Sequence, residues 1–236
     1  KENWRKNHRR YFRIADITLQ VDSDLPFSED TLHPKFKYFE TNSPGEDIVT
    51  IRHHFSLPDL NGKDLGKEVY RKLPWAIYKK GNSWIYLGIS PIRGDKSLHQ
   101  AIVFNSDHSR ARIYNNKEEL FLKGNLHSLT LFPSDQILLA RILADRESCY
   151  FHACGVNFRS KGLLFAGNSG AGKSTMATML KGSAEILCDD RIIVRRHPDG
   201  FRIYGTWSHG DVPDVSASSA PLKAILFLEK AEENKI

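Results

Sequence analysis

Residues 167–175 read Gly-Asn-Ser-Gly-Ala-Gly-Lys-Ser-Thr, which fits the pattern of Gly, four residues, then Gly-Lys-Ser that cradles nucleotide phosphates. An apolar run, Gly162-Leu163-Leu164-Phe165-Ala166, precedes it, and a helix-compatible run, Ser174 to Leu180, follows. Strand, glycine loop and helix start are the arrangement this chemistry needs. Glycines let the backbone wrap a phosphate, the exposed N–H groups and helix dipole favour an anion, and a lysine adds a point charge. The expected nucleotide-binding residues are therefore Gly167, Asn168, Ser169, Gly170, Ala171, Gly172, Lys173, Ser174 and Thr175. Lys173 is in addition expected to act in catalysis, and the Ser174 hydroxyl to hold Mg²⁺. A glycine-rich turn with a chance lysine is the competing reading, and the flanking strand and helix weigh against it. The expected ligands are ATP and Mg²⁺.

A phosphate loop names a ligand and not a reaction. The pair Asp189-Asp190 follows Glu185-Ile-Leu-Cys188, an apolar run expected to lie beside the loop strand. Two adjacent carboxylates there can divide the work, one around the metal and one taking the proton from an attacking hydroxyl. A solvent-exposed Asp-Asp turn is the bland alternative. His152 stands on the run that turns through Arg159-Ser-Lys-Gly162 into the loop strand, where it could orient or tune a carboxylate. A lone strand histidine is otherwise structural.

Other elements must position these groups. Alternating apolar and polar residues mark strands over Tyr11–Val21, Asp47–Phe55, Trp75–Tyr78, Ser83–Gly88, Ala101–Phe104 and Ala111–Tyr114. Turn signals at Ser43–Asp47, Asn61-Gly62, Lys80–Asn82, Arg93–Asp95 and Asn115-Asn116 separate them and predict an antiparallel sheet domain. Helical spacing then takes over between Pro133 and Arg146, with Ser134 or Asp135 as the cap. A hairpin pivots at His197–Gly200, residues 206–220 read as a flexible loop, and Ala224–Glu229 as a last strand. The predicted domains are residues 1–130, strand-rich (α+β), and residues 131–236, the nucleotide-binding α/β part. Helices covering one face of its sheet are expected beyond the last strand.

The bulk composition excludes several classes. The 236 residues carry 40% hydrophobic and 26% charged residues, ordinary for a soluble globular protein, and no apolar run of membrane-spanning length. The charged start, Lys1 to Arg10, is not followed by a signal core. Three cysteines, Cys149, Cys154 and Cys188, lack metal or disulfide spacing, which predicts a reducing, cytoplasmic setting. The net charge of +6 fits a nucleotide site and acidic substrate, and no basic-aromatic block argues for nucleic acid. His53-His54 and Asp107-His108 lack a third metal ligand at sensible spacing.

Residues 150–195 resemble the catalytic domain of the bacterial HPr kinase/phosphorylase family and its relatives. His152-Ala153, the Gly-x-Ser-Gly-x-Gly-Lys-Ser loop and Asp189-Asp190 before Arg191-Ile-Ile-Val194 stand in that family's order. The resemblance implies an HPr-kinase-like P-loop domain that transfers the γ-phosphoryl group of ATP to a hydroxyl. It makes Asp189 the general base, pairs His152 with it, and sets Asp190 beside Ser174 around Mg²⁺. It also implies a homo-oligomer. Thr175 stands where the family usually has Glu, no Glu-Ile-Arg-Gly segment follows, and the N-terminal part differs. The expected acceptor is thus the hydroxyl, notably serine, of a protein, peptide or small molecule other than HPr. The rival readings are a nucleotide-gated scaffold with little transfer and a carboxykinase-like enzyme on a small metabolite. Gly205-Thr-Trp-Ser-His-Gly-Asp211 occupies the region downstream, where Trp207, His209 and Asp211 could close over an acceptor or simply pack down.

Overall fold

The computed structural model describes residues 7–92, 95, 97–131 and 135–231. It is strand-rich, with two mixed sheets and few helices. Two compact units emerge. One gathers Ile17–Pro34, Glu40–Ile142 and the described residues up to Phe12, and the other gathers Arg13–Asp16, Lys35–Phe39 and the described residues from Leu143 onward. The division falls inside the helix Asp135–Ala144.

The first sheet contains β1 (Arg9–Ile14), β2 (Ile17–Ser23), β3 (Glu40–Thr41), β4 (Asp47–His54), β5 (Lys67–Lys72), β6 (Trp75–Lys80), β7 (Ser83–Ile89), β8 (Leu98–Phe104) and β9 (Arg110–Asn115). Their order is β3-β1-β2-β4-β9-β8-β7-β6-β5. Tyr11–Val21 is therefore two strands and not one run. Ala15 and Asp16 both take positive φ, 47° and 62°, and make a two-residue turn that its sequence, without Gly or Asn, does not advertise. Nor is the sheet purely antiparallel, because β4 runs parallel to both β2 and β9. Six of seven side chains of β2 are buried, as befits a strand covered on both faces.

A short helix, α1 (Glu119–Lys123), and α2 (Asp135–Ala144) follow. Asp135 bends its carboxylate back to accept the Leu129 and Thr130 amides at 2.8 and 3.0 Å. The alternative cap Ser134, the turn residues Arg93 and Gly94, and the basic start up to Lys6 lie outside the described residues.

The second sheet is built around β10 (Ser148–Phe158). Its first half pairs with β13 (Arg191–His197), and its second half with β11 (Lys161–Ala166) on one side and β12 (Glu185–Cys188) on the other. A hairpin joins β13 to β14 (Gly200–Tyr204), and β15 (Ser219–Phe227) pairs antiparallel with β14 and parallel with β11. Pairing thus returns to β11 in a closed circuit through β10, β13, β14 and β15. The carboxylate strand β12 does not lie beside the loop strand β11, as its sequence position suggested; β10 runs between them.

Alternation along most of these strands puts neighbours on opposite faces, with Leu187 and Cys188 at the end of β12 sharing one, and both faces are apolar. Ala153, Leu164, Leu187, Cys188 and Ile192 pack on one side, and Cys154, Val156, Phe165 and Ile186 on the other. Helix α3 (Lys173–Leu180) contributes Ala177 to the second cluster. Fully burying a side chain such as Leu, Ile or Phe stabilises by about 1.5–3 kcal/mol, so these clusters fix where the strand ends fall. Gly155 sits at the β10 register shift, where a Cβ would come within 2.5 Å of Ile192 Cδ1.

Candidate active site

Strands β11 and β12 both run antiparallel to β10, so both finish at the same end of it. Ala166 closes β11 opposite Ala153, and Cys188 closes β12 opposite Gly155. The glycine loop and the Asp189-Asp190 turn therefore emerge together, with His152 just beyond on β10 opposite Arg191. The Ala153 amide donates to the Asp190 carbonyl at 3.1 Å and locks the turn to that strand. A cavity of about 310 Å³ opens there, lined by His152, Ser169, Gly170, Gly172, Lys173, Ser174, Thr175, Asp189, Asp190, Gly210 and Asp211.

One wall is the glycine loop. Gly172 precedes the first turn of α3 at φ 109°, and Gly170 has φ 78°, conformations that side chains rarely adopt. Gly167 is needed for a different reason: a Cβ would meet Ala171 Cβ at 2.8 Å and the Leu228 carbonyl at 2.9 Å. The Lys173 side chain folds back over its own loop, its Nζ donating to the carbonyls of Gly167 (3.0 Å) and Asn168 (3.1 Å). Of the expected loop residues, Gly167, Asn168 and Ala171 shape the loop without lining the cavity.

The opposite wall separates two neighbouring acids. Asp189 is 2% exposed, and each of its oxygens accepts a backbone N–H. Oδ1 takes Gly210 at 2.6 Å, and Oδ2 takes Val212 at 2.9 Å. Asp190 instead accepts the His152 Nε2 proton on Oδ1 at 2.9 Å, with Arg191 Nη1 at 3.4 Å from the same oxygen. The expected His152–Asp189 pair is thus corrected to His152–Asp190. The β10–β13 register sets His152 opposite Arg191, next to Asp190, while Asp189 turns inward to the 210–212 loop. Half of the His152 side chain is exposed, yet its pKa is lowered. Partial burial is the largest cause; the nearby Arg191 and Lys173 charges add to it and together outweigh Asp190. The imidazole is neutral at pH 7.

Two buried thiols lie behind this wall. Burial pushes Cys154 up to about 12 and raises Cys188, whose Sγ donates to the Ser208 carbonyl at 3.1 Å. Both are packing groups, and all three cysteines are free thiols.

Segment 206–220 is anchored where its composition read as a flexible loop. Thr206 donates to the Arg191 carbonyl at 2.7 Å, and Trp207 is 1% exposed, its ring 5.3 Å from both Phe36 and Phe39. Trp207 packs down, while Asp211 stands exposed on the cavity rim. The Gly210 and Val212 amides that hold Asp189 are not legible in the sequence, because a backbone N–H has no residue-type signature.

The remaining histidine pairs are structural. His53 is buried, donates to the Leu129 carbonyl at 2.8 Å and falls to about 4 through burial. His54 contacts Asp24, and His108 packs among Trp84, Tyr86 and Phe104. No group of three potential metal ligands occurs among the described residues, and no helix there is long and apolar enough to cross a membrane.

A family model described as SynChlorMet cassette protein ScmC matches residues 131–236. That stretch contains the whole cavity lining. The resemblance to the HPr kinase/phosphorylase family is not upheld, since the matching family model is this one and no HPr kinase model. The glycine loop and the acidic pair are short, local motifs, and they do not by themselves identify a family. No curated protein matches the chain.

Proposed function

We propose that the cavity binds ATP with Mg²⁺ and transfers its γ-phosphoryl group to a hydroxyl on a protein, peptide or small molecule. The observation that carries this reading is the facing of two walls across one cavity: loop amides, Lys173 and Ser174 on one side, the His152–Asp190 pair on the other. The lining suits a triphosphate. Gly170 and Gly172 border the cavity with nothing within 4 Å of where a Cβ would stand, so that space is left open to a ligand. Mg²⁺ keeps several waters and takes few protein ligands, so one hydroxyl and one rim carboxylate suffice. Ser174 and Asp211 offer these. When bound, the cation offsets charge on the phosphates.

Asp190, and not Asp189, is the base in this reading. Asp189 has both oxygens committed to backbone amides. Asp190 has Oδ1 held by His152, and among the described residues Oδ2 has no hydrogen-bond partner. That oxygen can take a proton from an acceptor hydroxyl. His152 acts through Asp190 as a positioning residue. Lys173 exchanges its two carbonyl partners for phosphate oxygens.

Calorimetric titration with ATP and Mg²⁺ tests the binding half. A charge-assisted contact contributes about 1.5–3 kcal/mol, so Lys173→Ala is expected to bind roughly ten- to a hundredfold more weakly. Equal affinity in the two proteins would remove the assignment. Incubation with γ-labelled ATP and candidate hydroxyl-bearing acceptors tests the transfer. The matching family's description as a cassette protein makes products of neighbouring genes the first acceptors to try. Binding without label on any acceptor favours the scaffold reading.

A further inference from the structure

Far along the first sheet, β5 forms an edge with no strand beyond it among the described residues. Its six residues, Lys-Glu-Val-Tyr-Arg-Lys, are all exposed, including Val69 and Tyr70 at 46% each. Such an edge offers a row of N–H and C=O groups to another strand. Beside it lies a second cavity, about 490 Å³, walled by Tyr70, Trp75, Ile77, Trp84, Ile137 and Arg141. The register explains its composition: Tyr70 stands opposite Ile77, and Lys79 opposite Trp84, so one face carries the aromatic and aliphatic groups together. Helix α2 brings Ile137 and Arg141 to that face.

The charges are one-sided. Lys79 Nζ lies 4.4 Å and the Arg141 guanidinium 5.4 Å from the Trp84 ring centre. Lys67 and Lys72 close the two ends of β5, and its single acid, Glu68, is occupied by Arg71 at 2.6 Å. Two copies of β5 paired antiparallel in register would set Lys67 against Lys72. That register would also set Glu68 against Arg71 and so offset the repulsion, but the edge keeps three cations to one acid, with Lys79 and Arg141 beside it, a balance that an acidic strand complements.

We propose that the β5 edge takes an extended acidic peptide segment by strand addition, with one apolar side chain of that segment seated against Trp84 beneath Arg141. Backbone pairing supplies affinity in this mode, and the pocket supplies selectivity. The site is independent of the nucleotide cavity in its chemistry. It would let the chain hold a peptide whether or not that peptide is the phosphoryl acceptor.

Fluorescence anisotropy with the full chain tests this. The probe is a labelled ten-residue peptide alternating Glu with Val and carrying one central Phe. A lysine-for-glutamate twin and a version N-methylated at alternate amides serve as comparisons. Losing even one or two hydrogen bonds worth about 1 kcal/mol each gives roughly a tenfold change. The acidic peptide is expected to bind saturably and at least that much tighter than either comparison. Tyr70→Asp, an exposed position that leaves the fold intact, is expected to weaken it at least as much while ATP binding is unchanged.

Equal affinity for the N-methylated peptide would overturn strand addition, and equal affinity for the lysine twin would overturn the acidic preference. A concentration-dependent dimer seen by sedimentation and abolished by Tyr70→Asp would replace the peptide with a second copy. Peptide binding that persists in a protein shown not to bind ATP would sink the proposed transferase and leave this site standing.

Discussion

The two walls of the candidate cavity are built from different materials. The loop wall is mostly backbone, shaped by glycines at 170 and 172 with positive φ and by the crowding that excludes a side chain at 167. The acidic wall is made of side chains, and each has to find its partner in three dimensions. There, two adjacent aspartates have opposite fates. Asp189 is buried and saturated by amides, and Asp190 is half-buried with one oxygen to spare. Proximity in sequence did not make them equivalent. The two lie in the bend between β12 and β13, where the Gly210 and Val212 amides draw Asp189 inward and His152 holds Asp190 at the cavity.

The largest expected effect separates these two acids. If Asp190 is the base, Asp190→Asn keeps shape and nucleotide affinity but loses proton acceptance, which costs about 10²–10⁴ in rate. Single-turnover transfer from γ-labelled ATP checks it, alongside an unchanged unfolding midpoint. Full activity in this variant, with Asp189→Asn inactive yet folded and ATP-binding, would reverse the two roles.

The counterpart is a stability effect. Asp189→Ala leaves the Gly210 and Val212 amides without their acceptor; Gly210 is exposed and can turn to water, but Val212 is buried, and an orphaned buried donor costs about 1–3 kcal/mol. A loss of roughly 1–3 kcal/mol in urea unfolding is expected, together with faster amide exchange at residues 210 and 212. Unchanged exchange there would show that the loop is held by other contacts, such as the Thr206 hydroxyl on the Arg191 carbonyl and the packed Trp207.

What could be read from the chain follows the same division. The loop wall was legible because its requirement is local: Gly, four residues, Gly-Lys-Ser dictates a turn, a lysine and a helix start in consecutive residues. Most strands were legible from alternation, and so was the hairpin at His197–Gly200. The pairing of strands was not. Nothing in Glu185–Cys188 says that β10 comes between it and the loop strand, or that β4 runs parallel to both neighbours. The Ala15-Asp16 turn lacked the residues that usually mark one, and β5, with charged residues around Val69-Tyr70, gave no clear alternation. The partner of His152 depends on the β10–β13 register, a long-range pairing, so sequence order alone favoured the wrong aspartate. The family resemblance failed for a related reason. It rested on short local motifs, which do not by themselves identify a family.

The smallest expected effect concerns His152, and its sign follows from the lowered pKa. The folded protein holds the imidazole below its ordinary value of 6.5, through partial burial and then the charges of Arg191 and Lys173. At pH 7 it is neutral and donates one hydrogen bond to Asp190. As pH falls through the lowered value it gains a proton, and a cation 2.9 Å from Asp190 makes that carboxylate a weaker base. Transfer is therefore expected to be flat from neutral pH down to about 6.5 and to fall below it. Stability shares the direction. Between the folded value and 6.5 the unfolded chain binds more protons, so stability rises with pH across that window and levels off above it. His152→Gln keeps a donor for Asp190 without the titration, so it should retain most activity and lose this acid limb. In a double-mutant cycle with Asp190→Asn the two losses should not add, because a positioning residue acts only through the group it positions. Retention of the same acid limb in His152→Gln would assign the titration to another group, and fully additive losses would detach His152 from Asp190.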